Sequence, residues 1–173
     1  RVMMTPNPDR FLADLHRLRS VGATGNGVIR PAVSELDIQA RLWLVRQITK
    51  IGLTPHVDPA GNVFGLADGP SLLIGSHTDT QPEGGWLDGA FGVIAALEIA
   101  RAAIENGGSA ISIVSFQDEE GRFVATTGSD IWSGNLGLAD AYLFADPTAL
   151  TFGHARQALP EVMADVCVAP APL

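Results

Sequence analysis

Residues 71–98, SLLIGSHTDTQPEGGWLDGAFGVIAALE, constrain the fold more tightly than any other part of the sequence. The apolar run Leu72-Leu73-Ile74 is too short for a helix and is stopped by Gly75, so it reads as a buried strand delivering His77 and Asp79 at its carboxyl end. A polar, glycine-rich loop over 81–85 leads to Asp88, after which residues 89–106 repeat apolar side chains at the spacing of a packed helix. A second apolar run, Ile111 to Phe116, follows and ends in Gln117-Asp118-Glu119-Glu120-Gly121. Two strands joined by a right-handed helical crossover end on the same edge of a sheet, which is where open α/β sheets bind ligands. The pattern predicts an α/β domain: a central, mostly parallel (mixed) sheet flanked by helices in three αβα layers. His77, Asp79, Asp88 and the acids at 118–120 should then share one crevice.

The flanking sequence supplies the other elements. Residues 9–19 place Phe11, Leu12, Leu15 and Leu18 on one side of a short helix, with His16 solvated off that stripe. GATGNGVIRPAVS, residues 22–34, reads as a loop. Ser34 followed by Asp37 resembles a capping box, opening a helix over 34–51 whose apolar stripe is Leu36, Ala40, Leu44, Ile48 and Ile51, with Trp43 at its core border. Residues 54–57 and 63–66 flank the turn residues Asp58-Pro59-Ala60-Gly61-Asn62 as a hairpin, on which His56 is expected to be exposed. In the helix after Asp88 the buried side is Val93, Ala96, Leu97, Ala100 and Ile104. A short helix is expected over 128–137, and 149–168 carries a mixed pattern with some helical signal.

Composition narrows the partners. A chain of 173 residues with 46% hydrophobic content can bury one core of its own. The formal charge of −8, from 11 basic and 19 acidic residues, offers no basic patch for nucleic acid or an anionic membrane, and neither is expected as a partner. Cys167 is the single cysteine and has no intramolecular disulfide partner; with no signal peptide or spanning apolar run, a cytoplasmic setting is expected. The sequence begins Arg1-Val2-Met3-Met4 and ends AlaProAlaProLeu, so residues 1–173 read as a fragment of a longer chain.

One imidazole and several carboxylates from adjacent strand ends match the ligand set that Zn²⁺, Mn²⁺ or Co²⁺ accepts. A carboxylate such as Asp88 can bridge two ions, and of the neighbours Glu119 and Glu120 one can bind metal while the other stays free as a base. Several like charges in one crevice are costly unless a cation neutralises them. Taken singly, each residue has a plain structural explanation: Asp88 caps a helix, the acids line a turn, His77 ends a strand. The four together are harder to explain so.

GSHTDT, GGWLDGAFGVIAALE and SFQDEEGRFVATTGS, in that order, resemble the binuclear metallohydrolases of the aminoacylase and carboxypeptidase-like superfamily. GATGNGVIR and GLTPHVDPAGNVFG are similar to its branch of N-carbamoyl-L-amino-acid hydrolases, allantoate amidohydrolases and ureidopropionases, so the likeness runs over about residues 11–137. The resemblance implies two divalent ions: His77 and Asp88 hold one, Asp88 bridges to the second, and Glu120 holds that second ion. It further implies that Asp79 orients His77 from behind and that Glu119 is the general base. An N-carbamoyl or ureido acid would be the substrate, and a homodimer the assembly of the full-length protein. Family members also draw histidine ligands from a downstream Glu-x-His-Ile-Glu-Gln-like segment and from near their end, and carry an inserted lid and dimerisation domain; none of these is in this sequence. His154 lacks that context, and Asp130 stands where the branch carries a basic residue. The rival expectations are a peptidase or N-deacylase of the same superfamily, and a truncated, catalytically silent module that binds metal weakly or pairs with another chain.

Overall fold

Local signals and burial act together from the first element onward. The structure, a computed structural model, describes residues 5–159; Cys167 and the end of the 149–168 segment lie outside the described residues. Helix α1, Pro8–Ser20, starts with proline in its first turn, and the Asn7 side chain accepts hydrogen bonds from the backbone N–H groups of Asp9 and Arg10. It buries Leu15 and Leu18 and sets Phe11 edge-on against Phe91, 5.2 Å away. Leu12, expected in that stripe, is 47% exposed. The reason is that α1 packs mainly on one helix, α3 (Ala90–Glu105), which covers a narrower strip than a sheet would.

Arg10 fastens α1 to α3 by donating to both oxygens of the buried Glu98 at 2.7 and 2.8 Å, while the Asn7 N–H adds a bond to Glu98. Burial pulls the Glu98 carboxyl up, but the Arg10 and Asn7 hydrogen bonds outweigh it and hold the group below its ordinary value. The unfolded chain therefore binds this proton more tightly than the native one, and the stability Glu98 contributes above the ordinary glutamate range near pH 4.3 is lost as pH falls through the lowered native value. In urea titrations the gap between wild type and Glu98→Gln should be widest near pH 6 and close progressively below about pH 4; a gap independent of pH would contradict the assignment.

The stretch read as a loop over 22–34 contains a small hairpin, β1 (Ala23–Thr24) with β2 (Gly27–Val28), too short to show alternation in sequence. Helix α2, Glu35–Lys50, is capped by Ser34, whose side chain accepts from the Asp37 N–H. The reciprocal half of the capping box is displaced, because Asp37 accepts from the Val33 N–H and turns its carboxylate to Arg41. Ala40, Leu44 and Ile48 are buried as expected, and so is Trp43.

Strands β3 (Thr54–Val57), β4 (Val63–Leu66), β5 (Leu72–His77) and β6 (Ile111–Phe116) form a mixed sheet in the order β3-β4-β6-β5. The β3–β4 and β4–β6 pairs are antiparallel; β5 and β6, connected through α3, are parallel from Leu72↔Ile111 to His77↔Phe116. A Cβ on Gly92 of α3 would stand 2.7 Å from that of Ser76, so α3 lies against the Ile74 and Ser76 face. Ile48 of α2 reaches the same face beside Gly65 and Ile113. On the opposite face Phe116 meets Trp132 of α4, Thr127–Ser133, at 5.6 Å, which puts helices on both sides of the sheet. The helix expected over 128–137 stops at Gly134, whose positive φ ends it, and resumes as α5, Leu138–Ala141. Of 149–168, the described part forms α6, Phe152–Ala155, and a 3₁₀ turn, Arg156–Ala158.

Further burial expectations fail. β5, expected to be buried, is the edge strand among the described residues and leaves Leu72 62% exposed. Ile104 is 52% exposed, lining an open cleft with Ile51 instead of reaching the core. His56 is half-buried, paired across the hairpin with Phe64, and its Nε2 has no hydrogen-bond partner among the described residues. Among the described residues no helix is long and apolar enough to cross a membrane.

Candidate metal centre

The pairing His77↔Phe116 ends β5 and β6 at one level, so the segments leaving both strands meet immediately beyond it. His77, Asp88 and Glu120 each offer one ligand atom there, all within 4.8 Å of one another. His77 Nδ1 lies 3.0 Å from the backbone oxygen of Asp79. A carbonyl oxygen only accepts, so Nδ1 carries the proton and Nε2 presents a lone pair on the side of Glu120, whose Oε1 is 3.7 Å away. That is the tautomer a metal-binding imidazole needs.

Asp79 is buried and does two things. Its Oδ2 accepts the Glu120 N–H at 3.0 Å, and its Oδ1, without a hydrogen-bond partner among the described residues, sits 3.8 Å from His77 Nδ1 and 4.0 Å from Arg41 Nη2. Burial pushes this carboxyl above its ordinary range and the Asp37 charge adds to the rise, while Arg41, the Glu120 N–H and His77 pull back. The His77 ring thus donates to the Asp79 backbone carbonyl, while the Asp79 carboxylate steadies Glu120. Gln81 completes that support by donating to the Glu120 carbonyl, so the Glu120 peptide is held at both ends from the β5 side.

The other acids diverge. Glu119 accepts from the Ser129 N–H at 2.9 Å and the Ser129 hydroxyl at 2.7 Å, one on each oxygen. Each oxygen keeps a second lone pair, so the carboxylate retains acceptor capacity. Asp118, expected in the crevice, is buried and organises the turn ahead of α4, accepting from the N–H groups of Arg122, Phe123 and Val124 and from the Thr127 hydroxyl. Burial pushes Asp118 up to about 6 against those bonds.

Asp88 arrives by a different route. The loop is fastened at Gly84, whose carbonyl accepts the Val28 N–H. Beyond Asp88 the chain makes a γ-turn: the Ala90 N–H donates to the Asp88 carbonyl at 2.6 Å, with Gly89 at φ 66°, ψ −54° between them. A Cβ at Gly89 would lie 2.3–2.5 Å from the His77 ring atoms. Only glycine allows both this backbone and the approach of the imidazole.

Two buried arginines that motif reading passed over support the site. Arg41 pairs with Asp37 and donates to the carbonyls of Gly61, Ser115 and Phe116, bracing the end of β6. Arg30 donates to the carbonyls of Leu18, Val21 and Thr78, and burial lowers it to about 10. The available sequence signal was the i,i+4 spacing of Asp37 and Arg41 beside a buried stripe. His16 and His154 are exposed, and His154 is absent from the donor cluster.

A cavity of about 40 Å³ touches Asp79, Gln81, Asp88 and Glu120, room for an ion or a water rather than an amino-acid derivative. A larger cleft of about 420 Å³, between α1, α2 and α3, is lined by none of the donors. One imidazole nitrogen with a fixed tautomer, two carboxylates and a buried acid behind the ring form a donor set that fits a divalent metal.

A family model for peptidase family M28 matches residues 62–150, the segment containing the whole donor set. The N-carbamoyl-L-amino-acid amidohydrolase of Pseudomonas sp. is 35% identical over 127 residues, which cover 68% of this chain and 31% of that protein. Allantoate deiminase 1 of Glycine max is 32% identical over 129 residues, covering 69% of this chain and 27% of the relative. The crystal structure of a hydantoinase/carbamoylase family amidase from Burkholderia phymatum superposes with a TM-score of 0.87 at 41% identity, over 99% of this chain and 42% of that one. The chain thus spans less than half the length of each of these proteins. The matched segment, the superposition and the strand-end donors agree: this chain belongs to peptidase family M28, whose metal dependence its donor set fits.

Proposed function

We propose that residues 1–173 are the front part of the catalytic domain of a metal-dependent hydrolase that cleaves C–N bonds of linear amides, acting on N-carbamoyl-L-amino acids or related ureido acids. The observation that carries this reading is the convergence of His77, Asp88 and Glu120 within 4.8 Å at the ends of two parallel strands. His77 and Asp88 would hold one ion, and Asp88 and Glu120 a second. A divalent ion held there supplies Lewis acidity, polarising a carbonyl oxygen and acidifying water. Glu119, oriented by Ser129, takes the proton of the water that attacks the carbamoyl carbon. The same carboxyl returns that proton to the leaving nitrogen as the C–N bond breaks, releasing the amino acid; the carbamic acid left over falls to carbon dioxide and ammonia.

For the whole protein the proposal extends to two ions of Zn²⁺, Mn²⁺ or Co²⁺, a homodimer and a cytoplasmic setting. The family match favours a second reading, hydrolysis of a peptide bond by the same groups. Assaying a longer version with an N-carbamoyl amino acid against a dipeptide separates the two.

Three side chains cannot by themselves complete two coordination spheres, so this chain should bind Zn²⁺ or Mn²⁺ weakly in calorimetric titrations. His77→Ala and Asp88→Ala should weaken binding further. Gly89→Ala should do the same by about 10–100-fold, because its methyl group displaces the His77 ring. Tight binding of two ions to this chain, or affinity indifferent to all three changes, would overturn the reading.

A further inference from the structure

We propose that Trp86 is a positioning residue that fixes Asp88 by locking its loop onto α1, an inference that rests on the metal reading of His77, Asp88 and Glu120. The donors differ in how they are held. His77 hangs from a paired strand, and the Glu120 peptide is gripped by Asp79 and Gln81. Asp88 is exposed: downstream the Asp88 and Leu87 carbonyls accept the Ala90 and Phe91 N–H groups of α3, but upstream it ends a loop that carries Gly84 and Gly85, so that side needs its own tether. The Gly84 bond to Val28 lies four residues upstream, and Gly85 has open space around it.

Trp86, two residues before Asp88, provides that upstream contact. Its ring stacks on His16 with centroids 5.5 Å apart and planes 25° from parallel, and the Arg19 guanidinium carbon stands 4.7 Å from its centroid. His16 and Arg19 are three residues apart and share one face of α1. That helix is rigidly placed, with Leu15 and Leu18 in the core and Arg10 bound to Glu98. A cation over one part of the indole and a stacked ring on it hold the loop through the most polarisable side chain available. The contact converts a flexible glycine loop into an extension of α1, and gives the exposed His16 and half-buried Arg19 a role that their place on a helix does not suggest.

Two readouts on this chain test the proposal: amide hydrogen exchange over residues 84–88 without metal, and Zn²⁺ affinity by calorimetry. Trp86→Ala should speed exchange in that loop and weaken Zn²⁺ binding, each by about tenfold, with exchange in β5 and β6 unchanged. Trp86→Phe, which keeps an aromatic face, should recover most of both losses. The double variant His16→Ala/Arg19→Ala, with Trp86 intact, should reproduce the Trp86→Ala result. Unchanged loop exchange in Trp86→Ala or in the double variant overturns the proposal. Faster exchange with unchanged Zn²⁺ affinity also overturns it, because the loop would then move without consequence for Asp88. If the wild-type chain shows no Zn²⁺ binding that depends on His77, the metal reading itself fails, and the exchange data separately report whether Trp86 holds the loop.

Discussion

In a longer, active version of the protein, Glu119→Gln is expected to lower kcat by about 10²–10⁴-fold while leaving metal content intact. The substitution preserves shape and support. A glutamine oxygen can accept the Ser129 N–H as Glu119 does now, and the amide can donate to the Ser129 hydroxyl, which accepts as readily as it donates. What disappears is basicity, since an amide cannot take a proton from water near neutral pH. Glu120→Gln should behave differently, because its oxygen lies in the donor cluster with His77 and Asp88; metal occupancy and rate should fall together. Measuring metal content alongside kcat for both variants decides the matter. If Glu119→Gln empties the metal site or retains near wild-type kcat, the two roles must be exchanged or abandoned.

The second large effect is on stability. Arg41→Met should cost about 3–5 kcal/mol, because it removes one partner of a fully buried ion pair and strands the Asp37 charge. Against a typical domain stability of about 5–15 kcal/mol, that is enough to populate unfolded chain measurably. The loss goes beyond Asp37: the carbonyls of Gly61, Ser115 and Phe116 lose their donor, and Asp79 loses the cation 4.0 Å from its Oδ1. Removing both charges in Asp37→Leu/Arg41→Met should recover part of the stability, since burying neither ion is cheaper than burying one. Urea unfolding of the single and double variants checks this. A single variant within about 1 kcal/mol of wild type, or a double variant less stable than the single, would show that the pair is not what braces the end of β6.

Much of the architecture was legible in the chain because the signals were local and agreed with one another. Leu72-Leu73-Ile74 and Ile111 to Phe116 are apolar runs too short for helices, and the alanine-rich repeat between them packs as α3. His77, Asp88 and Glu120 could be brought together on paper because two parallel strands linked by one helix must end on the same edge. Where only one neighbouring element decides burial, periodicity misleads: Leu12 and Ile104 sit at helical spacing, yet about half of each stays exposed among the described residues.

Periodicity and motif order, properties of neighbours in sequence, therefore determined the longer helices, the four strands of the main sheet, the parallel β5–β6 pair and the cluster of candidate ligands, but not the short β1–β2 hairpin. Tertiary structure alone decided how each acid is used. Asp118 and Glu119 adjoin Glu120, but backbone N–H groups near α4 claim Asp118 and Ser129 claims Glu119, partners set by the path of the chain after β6. It also decided the buried Arg41–Asp37 pair, the Trp86 contact with α1 and the passage of His77 against Gly89. Hydrogen bonds and ion pairs depend on distances of a few ångströms between segments far apart in sequence, and no pattern along the chain encodes those distances until the sheet and helices have packed.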